Sequence, residues 1–127
     1  MRTWVAALRA EGAEETWREC RDAGLWGSGS SQAGKVQRGD EFFVWWSGRG
    51  WLARARFTSY PKVGSAYRWP WSPMLWVSEF EVLDELPSPK TSPGNPEPVS
   101  GLPTVRLGQF PEITDTDAID RLRGLFG

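Results

Sequence analysis

The chain has 127 residues, a formal net charge of −1, one cysteine and no histidine. That length suits a single domain, which buries roughly two-thirds of its unfolded surface and folds without covalent staples. One cysteine, Cys20, excludes an internal disulfide and a cysteine-based zinc site, and the missing imidazole removes the commonest general base, metal ligand and triad member.

Thr3 to Leu8 alternates weakly and begins β-rich, which predicts a short strand. Ala13 to Ala23 follows as a helix. Ala13, Trp17 and Cys20 fall at helical spacing, Glu14 and Arg18 form an i,i+4 pair, and Gly24 stands where a C-terminal cap belongs. Residues 24–34 hold four glycines and three serines and read as a loop that carries Leu25-Trp26. A hairpin comes next, with one strand over Glu41 to Trp46, a turn over Ser47 to Gly50, and a return over Trp51 to Ser59. Side chains alternate across a strand, so Ala53, Ala55 and Phe57 face inward while Arg54 and Arg56 face outward.

Tyr60 to Pro73 reads as a long loop stiffened by Pro70 and Pro73. Leu75 to Leu83 is a further strand, whose Trp76, Phe80 and Val82 require a bulge or a two-sided environment. Six of the ten prolines lie between Pro87 and Pro103, so 87–103 is expected to be a loop within the single domain 1–127. Thr104 to Leu107 suggests a short strand. Thr114 or Thr116 is placed to cap a last helix, where Ile119, Leu122 and Leu125 or Phe126 form an apolar stripe. Strands mixed with two helices, with no repeated βαβ unit, predict an α+β fold with a mostly antiparallel, barrel-like sheet.

Catalytic signatures are missing. An acid two residues before a lysine marks one common class of metal-dependent nuclease, but Ala33, Tyr60 and Ser88 hold those positions. The glycine-rich stretch before Lys35 lacks the phosphate-loop form, and no GxSxG elbow is present. No enzyme, metal or cofactor is expected. What the chain has in excess is tryptophan, nine against two tyrosines. Trp4, Trp17 and Trp76 suit packing. Trp45 and Trp46 point to opposite faces of one strand, so at most one of them belongs to a pocket. Two or three indoles around a methyl group make a dry slot for a methylated base or a quaternary ammonium, with Trp69-Pro70-Trp71 the best local candidate. The segment from Lys35 to Trp69 carries a local charge of +5, in the same stretch as the densest tryptophans.

In order along the chain, Leu25-Trp26-Gly27-Ser28, the Gly39-Asp40 before a hydrophobic strand, the Trp51 to Phe57 strand, the tryptophan-bearing Tyr67 to Pro87 segment and the closing Gly101 to Ile113 turn resemble a PUA-superfamily domain of the EVE and YTH type. The resemblance implies a curved β-barrel flanked by helices. It also implies that Trp26, Trp69 and Trp71 form a cage for a modified base, with Gly27 and Ser28 at the base edge. Trp46 and Trp51 are further candidates for that pocket. Arg49, Arg54, Arg56, Lys62 and Arg68 would hold the nucleic-acid backbone, joined through the resemblance by Arg106. The family's aromatic near the first strand's exit has no counterpart here.

The resulting expectation is a non-catalytic reader of a methylated base flipped from nucleic acid, with DNA preferred over RNA. EVE-like domains occur at the front of McrBC-type, modification-dependent restriction proteins, which implies a bacterial cytoplasmic specificity module whose motor or nuclease lies in the same chain or complex. No apolar run or leader suggests a membrane. The alternatives are a reader of modified RNA, a module whose aromatic cage takes a methylammonium or a proline-rich segment, and an enzyme with unrecognised carboxylate chemistry.

Overall fold

Parallel strands need a crossover of a dozen or more residues between them, whereas antiparallel strands need only a tight turn. Both connections occur here. The computed structural model describes residues 1–9, 11–90 and 110–126. Its elements run β1 (Thr3–Leu8), α1 (Ala13–Ala23), β2 (Leu25–Ser28), β3 (Glu41–Trp46), β4 (Gly50–Phe57), β5 (Lys62–Val63), β6 (Trp76–Lys90), β7 (Glu112–Ile113) and α2 (Thr116–Gly124). The sheet order is β2-β6-β4-β3-β1-β7, with β5 beside β6. β1 and β3 pair in parallel from Thr3–Glu41 to Leu8–Trp46, with α1 and β2 in the crossover. The other pairs are antiparallel. The result is an α+β fold built on a curled, mixed half-barrel.

The sheet is covered on both faces. Trp4, Ala6 and Leu8 of β1 join Phe42, Val44, Ala53, Ala55 and Phe57 on the concave face, against Trp17 of α1 and Trp26 of β2. Val5, Phe43, Trp45 and Trp51 point the other way and meet Ile113 and the apolar face of α2, Ala118 and Leu122. This explains why β3 is buried through five consecutive residues instead of alternating. Trp76, Phe80 and Val82 of β6 pack on the same core and pair in regular register, so the bulge expected among them is not needed there; the irregularities of the β4–β6 pairing fall beyond Val82. Asp40 ties the crossover to β1. Its buried carboxylate accepts from the Arg2 and Gln37 backbone N–H groups at 3.0 and 2.9 Å and from the Trp4 indole at 3.1 Å.

Four expectations need correction. The Tyr60 to Pro73 segment is not all loop, because Lys62–Val63 pairs with β6 as β5. Leu25–Ser28 is a strand rather than part of a loop, because burial of Trp26 brings it into register with Trp76–Glu79 of β6. Pro87 to Lys90 continues β6, so the proline-rich loop does not begin at 87. The cap of α2 is Asp115, whose Oδ1 accepts from the N–H groups of Asp117 and Ala118, and not a threonine. The remainder of the proline-rich segment, the strand expected at 104–107 and Arg106 lie outside the described residues. No helix among the described residues is long and apolar enough to cross a membrane.

Candidate nucleic-acid interface

A cavity of ≈ 380 Å³ lies where the end of β1, helix α1, strand β2 and the loop before β6 converge. That is within the roughly 300–1,000 Å³ of small-ligand pockets. β1 delivers Ala7, Leu8 and the following Arg9. Helical spacing puts Thr16, Glu19 and Cys20 on one side of α1. Gly24 then ends the helix with φ +67° and its N–H directed to Arg21 and Cys20, so the chain enters β2 at once and sets Trp26 and Gly27 in the wall. The Phe80 N–H donates to the Gly24 carbonyl at 2.9 Å and seats this corner on β6.

The remaining wall is the loop that carries Pro70, Trp71 and Met74. Backbone bonds from Tyr67 to Gly64, Trp71 to Arg68 and Met74 to Trp71, at 2.9, 3.0 and 2.9 Å, fold it into successive turns. It lies tightly on Gly64, where a Cβ would stand 2.0 Å from the Met74 carbonyl oxygen. Gly27 plays the same part on β2: a Cβ there would stand 2.7 Å from Met74 Cγ and 3.1 Å from Trp71 Cδ1. Trp26 and Trp71 are only 9% and 6% exposed. Trp26 also packs on Phe42, with ring centroids 5.7 Å apart. The two indoles are therefore firmly held walls.

Leu8, Pro70, Met74 and the indoles make the cavity apolar, while Arg9, Glu11, Thr16 and Glu19 add polar groups. Such a site can hold a flat, polarisable group and hydrogen-bond its edge. The Cys20 thiol is pushed up to about 11, by burial first and by the Glu19 charge second, so it is protonated near neutral pH and is a poor nucleophile. No group of three His, Cys, Asp or Glu side chains placed to hold a metal ion occurs among the described residues.

Of the expected cage, the cavity brings together Trp26, Gly27 and Trp71. Trp69 is 76% exposed and lines a separate groove with Arg68. Ser28 pairs with Trp76 and uses its Oγ to accept from the Ser30 N–H, outside the cavity lining. Trp51 is wholly buried between β4 and α2 and cannot meet a ligand. Trp46 packs against the concave core, with the Arg49 guanidinium 4.9 Å above its ring.

Two of the expected backbone-binding arginines are ion-paired. Arg54 lies 3.1 Å from Glu41 and 3.7 Å from Asp84, and Arg56 pairs with Glu81. Their charges are used within the sheet, because neighbouring strands set acids on the same face. Lys62 is exposed on β5 and does not line the cavity. Arg9 is a cavity-lining cation that the sequence did not single out.

No family model and no curated protein matches the chain. Solved structures do. The Mmi1 YTH domain aligns with TM-score 0.72 at 10% identity, over 98% of this chain and 95% of that one. The fold is YTH-like. The Pho92 YTH domain in complex with m6A shares it at TM-score 0.55 and 15% identity, over 98% of this chain and 82% of that one. Rpa0253 from Rhodopseudomonas palustris shares it at TM-score 0.60 and 16% identity, over 100% and 96% of the two chains. Within the YTH-like fold, Arg9, Thr16, Cys20 and Met74 reach the cavity only through the convergence of β1, α1 and the β5–β6 connection. No local motif marks them.

Proposed function

We propose that this chain is a non-catalytic reader of one modified base in a nucleic acid, taken into the cavity between Trp26 and Trp71. The cavity walled by two indoles carries the reading. Stacking on an aromatic contributes about 1–3 kcal/mol per base, and each further buried methyl carbon adds about 0.8 kcal/mol. The polar rim of Arg9, Thr16 and Glu19 is suited to the hydrogen-bonding edge of a base. Extruding a base from a duplex costs a few kcal/mol, which stacking and phosphate contacts must offset. In its DNA form the reading makes the chain a specificity module of a modification-dependent restriction system, with a motor or nuclease in the same chain or complex. A second reading, modified RNA, is favoured by two solved YTH structures. These are Pho92 in complex with m6A and the Toxoplasma CPSF4 YTH domain in complex with a 7-mer m6A-modified RNA, the latter at TM-score 0.52.

The test is a titration with DNA duplexes and single-stranded RNAs carrying 5-methylcytosine, 5-hydroxymethylcytosine, N4-methylcytosine, N6-methyladenine or no modification, at two salt concentrations. One modified base is expected to bind at least about tenfold more tightly than its parent. Trp71→Ala should erase that preference, while Arg9→Ala should weaken binding and reduce its salt dependence. Equal binding of modified and unmodified strands of every kind would defeat the proposal, and the better polynucleotide decides between its two forms.

A further inference from the structure

Trp69 and Trp71 are separated by one residue yet differ completely in environment: Trp71 is 6% exposed and Trp69 is 76% exposed. Trp69 stands in an open groove of ≈ 540 Å³ beside Arg68, opposite Glu19 and Asp22 of α1. Groove and cavity share Glu19, Pro70 and Trp71, which makes Trp71 the partition between two adjoining sites. A polynucleotide with one base in the cavity can carry an adjoining nucleotide across this rim.

From this continuity we propose that Trp69 is the stacking platform for the nucleotide that adjoins the modified one. The inference rests on the modified-base reading above and extends that site by one subsite. Every base offers a flat face to an indole, so the contact adds affinity without demanding a particular neighbour. The charges orient the strand. Arg68 makes no ion pair among the described residues and attracts phosphate, whereas Glu19 and Asp22 repel it. The sugar-phosphate backbone therefore follows the Arg68 side, and the base lies over the indole.

The experiment compares N6-methyladenosine and 5-methylcytidine, as free nucleosides, with trinucleotides carrying the same base at the centre, in DNA and RNA forms. Wild type, Trp69→Ala, Trp69→Phe and Trp71→Ala are titrated with each. For the preferred base, wild type should bind the trinucleotide about tenfold more tightly than the nucleoside. Trp69→Ala should lose most of that advantage and leave nucleoside binding unchanged, Trp69→Phe should keep much of it, and Trp71→Ala should lose both ligands. The exposed position predicts unchanged melting for the Trp69 variants, so a loss of binding is not a loss of fold. A full trinucleotide advantage in Trp69→Ala, or none in wild type, overturns the subsite while modified-base binding still stands. Failure of wild type to prefer any modified ligand over its parent overturns both. A proline-rich peptide whose binding is lost in Trp69→Ala, where that of the trinucleotide is not, would assign the groove to a protein partner and also overturn the subsite.

Discussion

Gly27→Ala is the sharpest probe of how the cavity is built. The Gly27 backbone is not left-handed, so the effect of a methyl group there is steric. The new carbon would sit 2.7 Å from Met74 Cγ and 3.1 Å from Trp71 Cδ1, whereas carbon atoms prefer about 3.5–4.0 Å. Met74 is 36% exposed and unbranched, so it can swing aside. Trp71 is 6% exposed and sits in a hydrogen-bonded turn, so it yields only by a few tenths of an ångström. The stability cost should fall near the bottom of the range for overpacking, about 1 kcal/mol, or about 2–6 °C in Tm. Binding should suffer more. A gap of 0.5–1 Å forfeits about a quarter to a half of each dispersion contact, and the displaced Met74 narrows the slot. Together these predict modified-base binding weaker by about 3- to 10-fold, measured by calorimetric titration beside thermal unfolding. Unchanged binding in a variant with lowered Tm would remove Trp71 as a wall of the site. If neither quantity changes, the close packing of the loop on β2 is refuted.

The other predictions concern the frame around the site. Burial resists ionisation of Glu41, but hydrogen bonds from Arg54 and Arg123 outweigh it and hold the carboxyl below its usual 4.5. A depressed folded value contributes stability above pH about 4.5 that is lost as pH falls through that folded value. Glu41→Gln should therefore cost about 1–3 kcal/mol at pH 7 and flatten the acid side of the stability profile; urea unfolding at pH 7 and pH 3 checks this, and an unaltered profile counts against it. Arg54→Ala should lower stability through the same network with little effect on the salt dependence of binding, and a large change in salt slope would return Arg54 to the nucleic-acid surface. Cys20 should be alkylated slowly at pH 8, with its rate rising toward a midpoint near 11; a midpoint near 9 would contradict the covered position of the thiol. Asp115→Ala should remove the cap of α2 at a cost of about 0.5–2 kcal/mol, read as a fall in Tm, and an unchanged Tm would show that the cap is dispensable.

Local pattern was enough to show which segments become β1, α1, β3, β4 and α2. Each of those signals acts over a few residues: strand alternation, helical spacing, a glycine cap, a tight turn. The same locality made 24–34 look like a loop, because its glycines and serines outweigh one short apolar pair. Only pairing with β6 makes Leu25–Ser28 a strand. Nothing near Trp51 in the sequence shows that α2 covers its face of the sheet, and nothing beside Arg54 or Arg56 shows that Glu41, Asp84 and Glu81 lie opposite. Those ion pairs are a tertiary decision.

Composition by itself established that the chain has aromatic surface in excess and neither histidine nor paired cysteines for most familiar chemistry. It could count nine indoles but not sort them. The half-barrel does the sorting, since a side chain's exposure depends on what the rest of the chain lays over it. It seals Trp4 and Trp51 in the two cores and brings Trp26 and Trp71 into the lining of one cavity. Trp69 it leaves in the solvent at the rim.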